Sequence, residues 1–226
     1  MQNVTAGNSA IAHAEQVSKV LRNTYALLAM TLLFSAVTAG ISMAVGVGRG
    51  LGMIMSLAAL GLIWFVLPRT ANSSAGIGVV FAFTGLLGAA LGPMLNAYLQ
   101  LSNGGSLIMQ ALGGTALVFF SLSAYVLTTR KDFSFMGGFL MVGLLVVILG
   151  SLGAFVASLF GVNVSMFSLA ISAAVVFLMS GFILFDTSRI VNGGETNYIM
   201  ATVSLYLNIY NLFTSLLHLL GALSDD

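Results

Sequence analysis

ATVSLYLNIYNLFTSLLH (201–218) is the stretch on which the fold of this chain turns. At helical spacing, Ser204, Asn208, Asn211, Ser215 and His218 recur at steps of four, three, four and three, so they share one face. Tyr206, Tyr210 and Thr214 form a neighbouring stripe. The residues between them are oily enough for a membrane. Yet each buried polar group left without a partner costs about 1–3 kcal/mol. A helix bathed in lipid would not spread two carboxamides, several hydroxyls and an imidazole along its middle. The stripe is expected to face other helices or a wet cavity, which puts this last helix in the interior with its companions around it.

Composition supplies the companions. Of 226 residues, 59% are hydrophobic and 6% charged, and the mean hydropathy is +1.08. Soluble domains carry about 25% charged residues, so this chain cannot cover a water-facing surface and is expected to take the lipid bilayer as its solvent. Twenty-six glycines and sixteen phenylalanines beside two prolines suit closely packed membrane helices. The absence of cysteine removes disulfides, thiolate catalysis and thiolate metal sites. A net charge of +1 gives no reason to expect nucleic acid.

A membrane-crossing helix needs about 20 mostly apolar residues. Seven runs qualify: Thr24–Val45, Leu51–Leu67, Ala75–Leu99, Ser106–Thr129, Ser134–Phe160, Val164–Phe185 and Ile199–Leu220. The fifth and sixth nearly merge, and a tight turn at Gly161–Asn163 is expected to part them. The predicted class is all-α, seven transmembrane helices, with helix seven central and enclosed by the other six. Basic residues are retained on the cytoplasmic side of short loops. With the N-terminus inside, that side collects Lys19, Arg22, Arg69, Arg130, Lys131 and Arg189, and the other side holds only Arg49. The C-terminus is then outside. Residues 1–23 read as a short cytoplasmic tail, 24–220 as the membrane domain and 221–226 as a short outer tail. A cleaved signal fits poorly, because its apolar part is only about 7–15 residues long and its basic flank comes first.

Asp186 stands at the end of the sixth run, with Arg189 three residues on and Arg69 on the same side of the membrane. It reads either as a boundary carboxylate paired with Arg189 in headgroup water, or as a charge tucked under the bundle at a cytoplasmic mouth. Exposure separates the two. The stripe of helix seven likewise reads either as interhelical hydrogen bonds or as the wall of a hydrated path. Gly85, Gly88 and Gly92, and Gly150 with Ala154, predict close helix contacts. Pro93 and Asn96 predict a kink and a wider outer mouth. GVGRGLG (46–52) follows no strand and precedes no Lys-Ser/Thr, so it is no phosphate loop. His13 and His218 are too few for a histidine-rich metal site. Ser215 and His218 lie three apart without a nucleophile motif around them. No catalytic residue, cofactor or metal is expected.

LFDTSRI (184–190) followed by YIMATVSLYLNIYNLFTSLL (198–217) resembles the signature of the Bax inhibitor-1 family. KVLRNTYALLAMTL (19–32), ALGGTALVFFSLSAYVLTTRKDFSF (111–135) and GGETNYIMATVSLY (193–206) are similar to its bacterial inner-membrane members, and the likeness runs through the chain from Lys19. The resemblance implies seven helices with the last one enclosed, and residence in the bacterial inner membrane. It implies two activities. One is binding and modulation of the membrane AAA protease FtsH in quality control, for which residues 1–18, poor in large apolar groups, would make a handle. The other is a pH-sensitive calcium leak gated by two aspartates on the last two helices. Asp186 matches the first aspartate, but Asn208 stands where the second would fall. Two carboxylates in contact share a proton and titrate together, whereas an amide hydrogen-bonds without titrating.

Overall fold

The computed structural model describes residues 2–224, with side chains from Ala14 onward. Residues 1–13 of the expected inner tail, His13 among them, and residues 225–226 of the outer one therefore lie outside the described side chains. Among the described residues seven helices are long and apolar enough to cross a membrane: α1 (Ala14–Val45, its helical backbone running from Gln2), α2 (Arg49–Thr70), α3 (Ala75–Leu99), α4 (Gly104–Thr129), α5 (Ser134–Leu159), α6 (Ser165–Val191) and α7 (Tyr198–Ser224). The protein is an all-helical, multi-pass membrane protein.

Three helix ends differ from the sequence reading, each for a local reason. The helix of α1 begins before Thr24, and its buried stripe already includes Val20, 7% exposed. Pro68 does not end α2. A π turn at Leu62–Val66 precedes it, and the chain stays helical to Thr70. Such a turn absorbs the amide hydrogen bond that proline cannot make. The helix α6 does not stop at Phe185 but continues to Val191, so Asp186 lies inside it. The expected turn between α5 and α6 is present. Gly161 takes φ +79, open to glycine without strain, and Asn163 Oδ1 accepts the Ser165 amide at 3.0 Å to cap α6.

The chain divides into two compact units, Met1–Ser102 with Ile190–Tyr206, and Asn103–Arg189 with Leu207–Asp226. In the first unit α1 packs on α3 by a small-residue seam. A Cβ on Gly88 would run into the Ser35 carbonyl and the Thr38 hydroxyl, one on Gly92 into Ser42, and one on Gly85 would sit 2.7 Å from the Phe34 ring. Pro93 lies beside Gly52 of α2, where a Cβ would sit 3.2 Å from its ring, and α3 continues through it to Leu99. Proline leaves the carbonyl four residues back without its helical donor. That carbonyl belongs to Ala89, and Ser42 Oγ of α1 donates to it at 2.6 Å. Asn96 then donates to the Met43 carbonyl at 3.1 Å. These two hydrogen bonds fasten α3 to the end of α1.

In the second unit the tight approaches in α5 come at Gly143, where a Cβ would meet Leu178 at 2.6 Å, and at Gly137, where one would meet the Phe185 ring at 2.9 Å. Gly150, expected to be the close contact, has only Ile171 and Phe167 at an ordinary 3.7 Å. Burial is uneven along the chain. The most hydropathic span, α5, is the least buried, and α7, the least hydropathic, is the most buried, at 50% of its window. From Ala201 to Ala222 no residue of α7 is exposed.

Candidate functional site

Asp186, Thr187 and Ser188 are consecutive on the last turns of α6 and are 9%, 0% and 0% exposed. Successive helical residues point about 100° apart, so three buried polar side chains in a row reach three neighbours. Asn208 Nδ2 of α7 donates to Asp186 Oδ2 at 2.7 Å. Thr187 meets the Ser123 hydroxyl of α4 at 3.5 Å. Ser188 accepts the Phe133 amide at 2.9 Å and donates to the Lys131 carbonyl at 3.2 Å, holding the α4–α5 loop. Asp186 is thus buried in the unit, and the reading that keeps it in headgroup water is set aside. Sequence reasoning singled out Asp186 and passed over Thr187 and Ser188. Their signal was the unbroken polar run at the end of an oily segment.

The stripe of α7 is brought together only in part. Asn208 is 6% exposed and serves Asp186. Asn211, half-buried, donates to the Leu207 carbonyl of its own helix at 2.8 Å. Ser215 is buried and Ser204 half-buried. His218 Nδ1 lies 2.8 Å from Ser172 Oγ of α6. Its Ser partner is therefore on another helix, and not the Ser215 three residues away.

The first third of α7, to Tyr206, belongs to the other unit, where its polar side chains meet a stripe on α1 that the sequence reading missed. Thr24, Thr31, Ser35 and Ser42 are buried at helical spacing. The Tyr206 hydroxyl is 2.6 Å from Ser35 Oγ and donates to the Thr84 carbonyl of α3 at 3.3 Å. Its ring, 1% exposed, meets Phe83 edge-on at 5.5 Å. Thr202 donates to its own Tyr198 carbonyl at 2.7 Å and to the Thr24 carbonyl at 3.3 Å. Asn197 caps α7 by accepting the Ile199 amide at 2.9 Å and ties the helix start to the Ala71 carbonyl at 3.0 Å.

The two candidate arginines make the following contacts. Arg189, half-buried, sets its guanidinium 5.7 Å above the Phe185 ring. Arg69 is exposed and donates to the Phe65 carbonyl of its own helix. In the α4–α5 loop, Asp132 is held below the ordinary carboxylate range by hydrogen bonds from the Ser134 side chain and backbone amide, the latter at 2.8 Å. Chemically, the α6–α7 contact sets an amide donor against a buried carboxylate. It makes a fixed hydrogen bond where a second carboxylate would have shared a proton.

Comparison with known proteins agrees with this architecture. Residues 17–225 match the family described as inhibitor of apoptosis-promoting Bax1. An uncharacterized membrane protein of Vibrio cholerae is 52% identical over 219 residues, covering 96% of each chain. The Escherichia coli K12 protein named modulator of FtsH protease YccA is 53% identical over 208 residues, covering 92% of each chain. An uncharacterized protein of Pseudomonas aeruginosa is 50% identical over 219 residues. With the family matched along nearly its whole length, this chain belongs to the Bax inhibitor-1 family of membrane proteins.

Proposed function

We propose that this protein is an inner-membrane protein that binds and modulates the FtsH protease in membrane-protein quality control. The observation that carries the reading is the 53% identity, over 92% of both chains, to the protein named for that role. The proposal includes a cytoplasmic N-terminus and a periplasmic C-terminus, supported by the gathering of Lys19, Arg22, Arg69, Arg130, Lys131 and Arg189 on one side of seven spans. It also includes α7 as the interior helix, supported by the lack of any exposed residue from Ala201 to Ala222. Residues 1–18 are the handle. Among the residues whose side chains are described, α1 is first buried at Val20, and none of Ala14–Lys19 before it is buried. Deletion of residues 2–18 should slow the protein's turnover in cells with active protease while the melting of the remaining bundle stays unchanged. Unchanged turnover, together with failure to co-purify FtsH, would overturn the reading.

A second reading is a cation leak with Asp186 at its inner mouth, favoured by the burial of that carboxylate at the end of α6. It meets an obstacle at Asn208, which engages Asp186 without titrating. Calcium flux into dye-loaded liposomes should fall with Asp186→Asn if the carboxylate gates a pore. Equal flux in both proteins removes the gate.

A further inference from the structure

A cavity of about 340 Å³ opens in the second unit beside the α5–α6 turn. Its wall combines Ser151 and Ser158 of α5, Ser168 and Ser172 of α6, and His218 of α7, with Phe155 among its apolar members. After Ser134 at its start, Ser151 and Ser158 are the only polar side chains in α5, the most hydropathic span of the protein. They stand seven residues apart, on one face, and both line the cavity. Ser168 and Ser172 stand four apart on α6 and do the same.

Some of these groups are already engaged. Ser172 is bound to His218, and Ser158 donates to the Phe155 carbonyl of its own helix at 2.6 Å. Ser151 and Ser168 line the space, their hydroxyls with no hydrogen-bond partner among the described residues, and His218 lines it beside them. The cavity also runs deep. Ser158 is next to the last residue of α5 and Ser151 lies eight residues from that end, about 12 Å down the helix. A span of 26 residues is about 39 Å long, against a hydrocarbon layer of about 30 Å. The hydroxyls therefore descend from the headgroup level into the hydrocarbon, where a polar group without a partner is costly. Neither a lysine, an arginine nor a carboxylate lines the wall, so nothing in it selects an ion.

We propose that this cavity binds the glycerol-ester part of a neutral acyl lipid, with the hydroxyls and His218 on the ester and glycerol oxygens and the chain leaving by the open side. Two sources share that chemistry, a free monoacylglycerol and the glycerol backbone of a membrane phospholipid.

The test uses the whole protein, purified in detergent and stripped of lipid. It is titrated separately with monooleoylglycerol, with dioleoyl phosphatidylethanolamine and with oleate, and binding is followed by native mass spectrometry. A photoreactive monoacylglycerol maps the site. Saturable one-to-one binding of a glycerol ester, with label in 151–172 and around His218, is expected, and oleate should bind weakly. Preference for the monoglyceride or for the phospholipid identifies the source. Ser151→Ala with Ser168→Ala should weaken binding roughly ten-fold, and Ala154→Phe should block it; melting curves confirm that both variants fold. Unsaturable label spread over the lipid-facing sides of α2 and α5, or equal affinity in the double variant, overturns the proposal.

Discussion

The contact between Asn208 and Asp186 predicts a measurable coupling across α6 and α7. The donor–acceptor distance is 2.7 Å, and the two residues are 6% and 9% exposed, so water competes little for either group. Neutral hydrogen bonds between membrane helices contribute about 0.6 kcal/mol on average. Bonds to a charged acceptor are stronger, about 1.5–3 kcal/mol. With Asp186 ionised, the pair belongs in the second class. The perturbation is a double-mutant cycle of Asp186→Leu, Asn208→Leu and both together, chosen to keep side-chain volume. Unfolding in mixed micelles at rising dodecyl sulfate, followed by circular dichroism, yields the four stabilities. Each single change should be destabilising, and the coupling should come to about 1.5–3 kcal/mol. A coupling below about 0.5 kcal/mol would refute the reasoning, because it would place the pair among ordinary interhelical contacts.

The remaining expectations concern packing and charge. Ser42→Ala should cost about 1–3 kcal/mol by orphaning the Ala89 carbonyl, and the loss should shrink in a Pro93→Ala background, where the restored amide serves that carbonyl; the same unfolding assay measures both. Gly88→Ala should destabilise by about 1–3 kcal/mol through its clash with Ser35 and Thr38, whereas Gly150→Ala should be neutral or stabilising by up to about 1 kcal/mol; equal effects would mean that the two glycines have the same surroundings. Asp132 titrates below the ordinary carboxylate range, so its contribution to stability is present above its unfolded pKa and is lost as pH falls through the lower folded value. Ser134→Ala should move its titration upward in carbon-detected NMR, and an unmoved curve would sink the assignment of cause.

Much of the architecture could be read along the chain, because hydropathy is a local sum over some twenty residues. That sum, with the loop residues, marked seven spans and the turn at Gly161. The polar stripe of α7 needed only helical spacing, and the reluctance of α7 to face lipid agrees with its being the most buried span. Helix ends were harder to place. Whether Pro68 stops a helix depends on a π turn before it, and whether α6 ends at Phe185 depends on partners waiting for Asp186, Thr187 and Ser188.

The amino-acid order alone determined which seven segments are long and apolar enough to cross the membrane. Only the tertiary structure decided who meets whom: Asn208 with Asp186, His218 with Ser172 rather than Ser215, and Ser42 with the carbonyl freed by Pro93. Pairing depends on the rotation and vertical register of each helix against its neighbour. Those quantities are set by side-chain shape at contacts distant in sequence, and no window along the chain contains them.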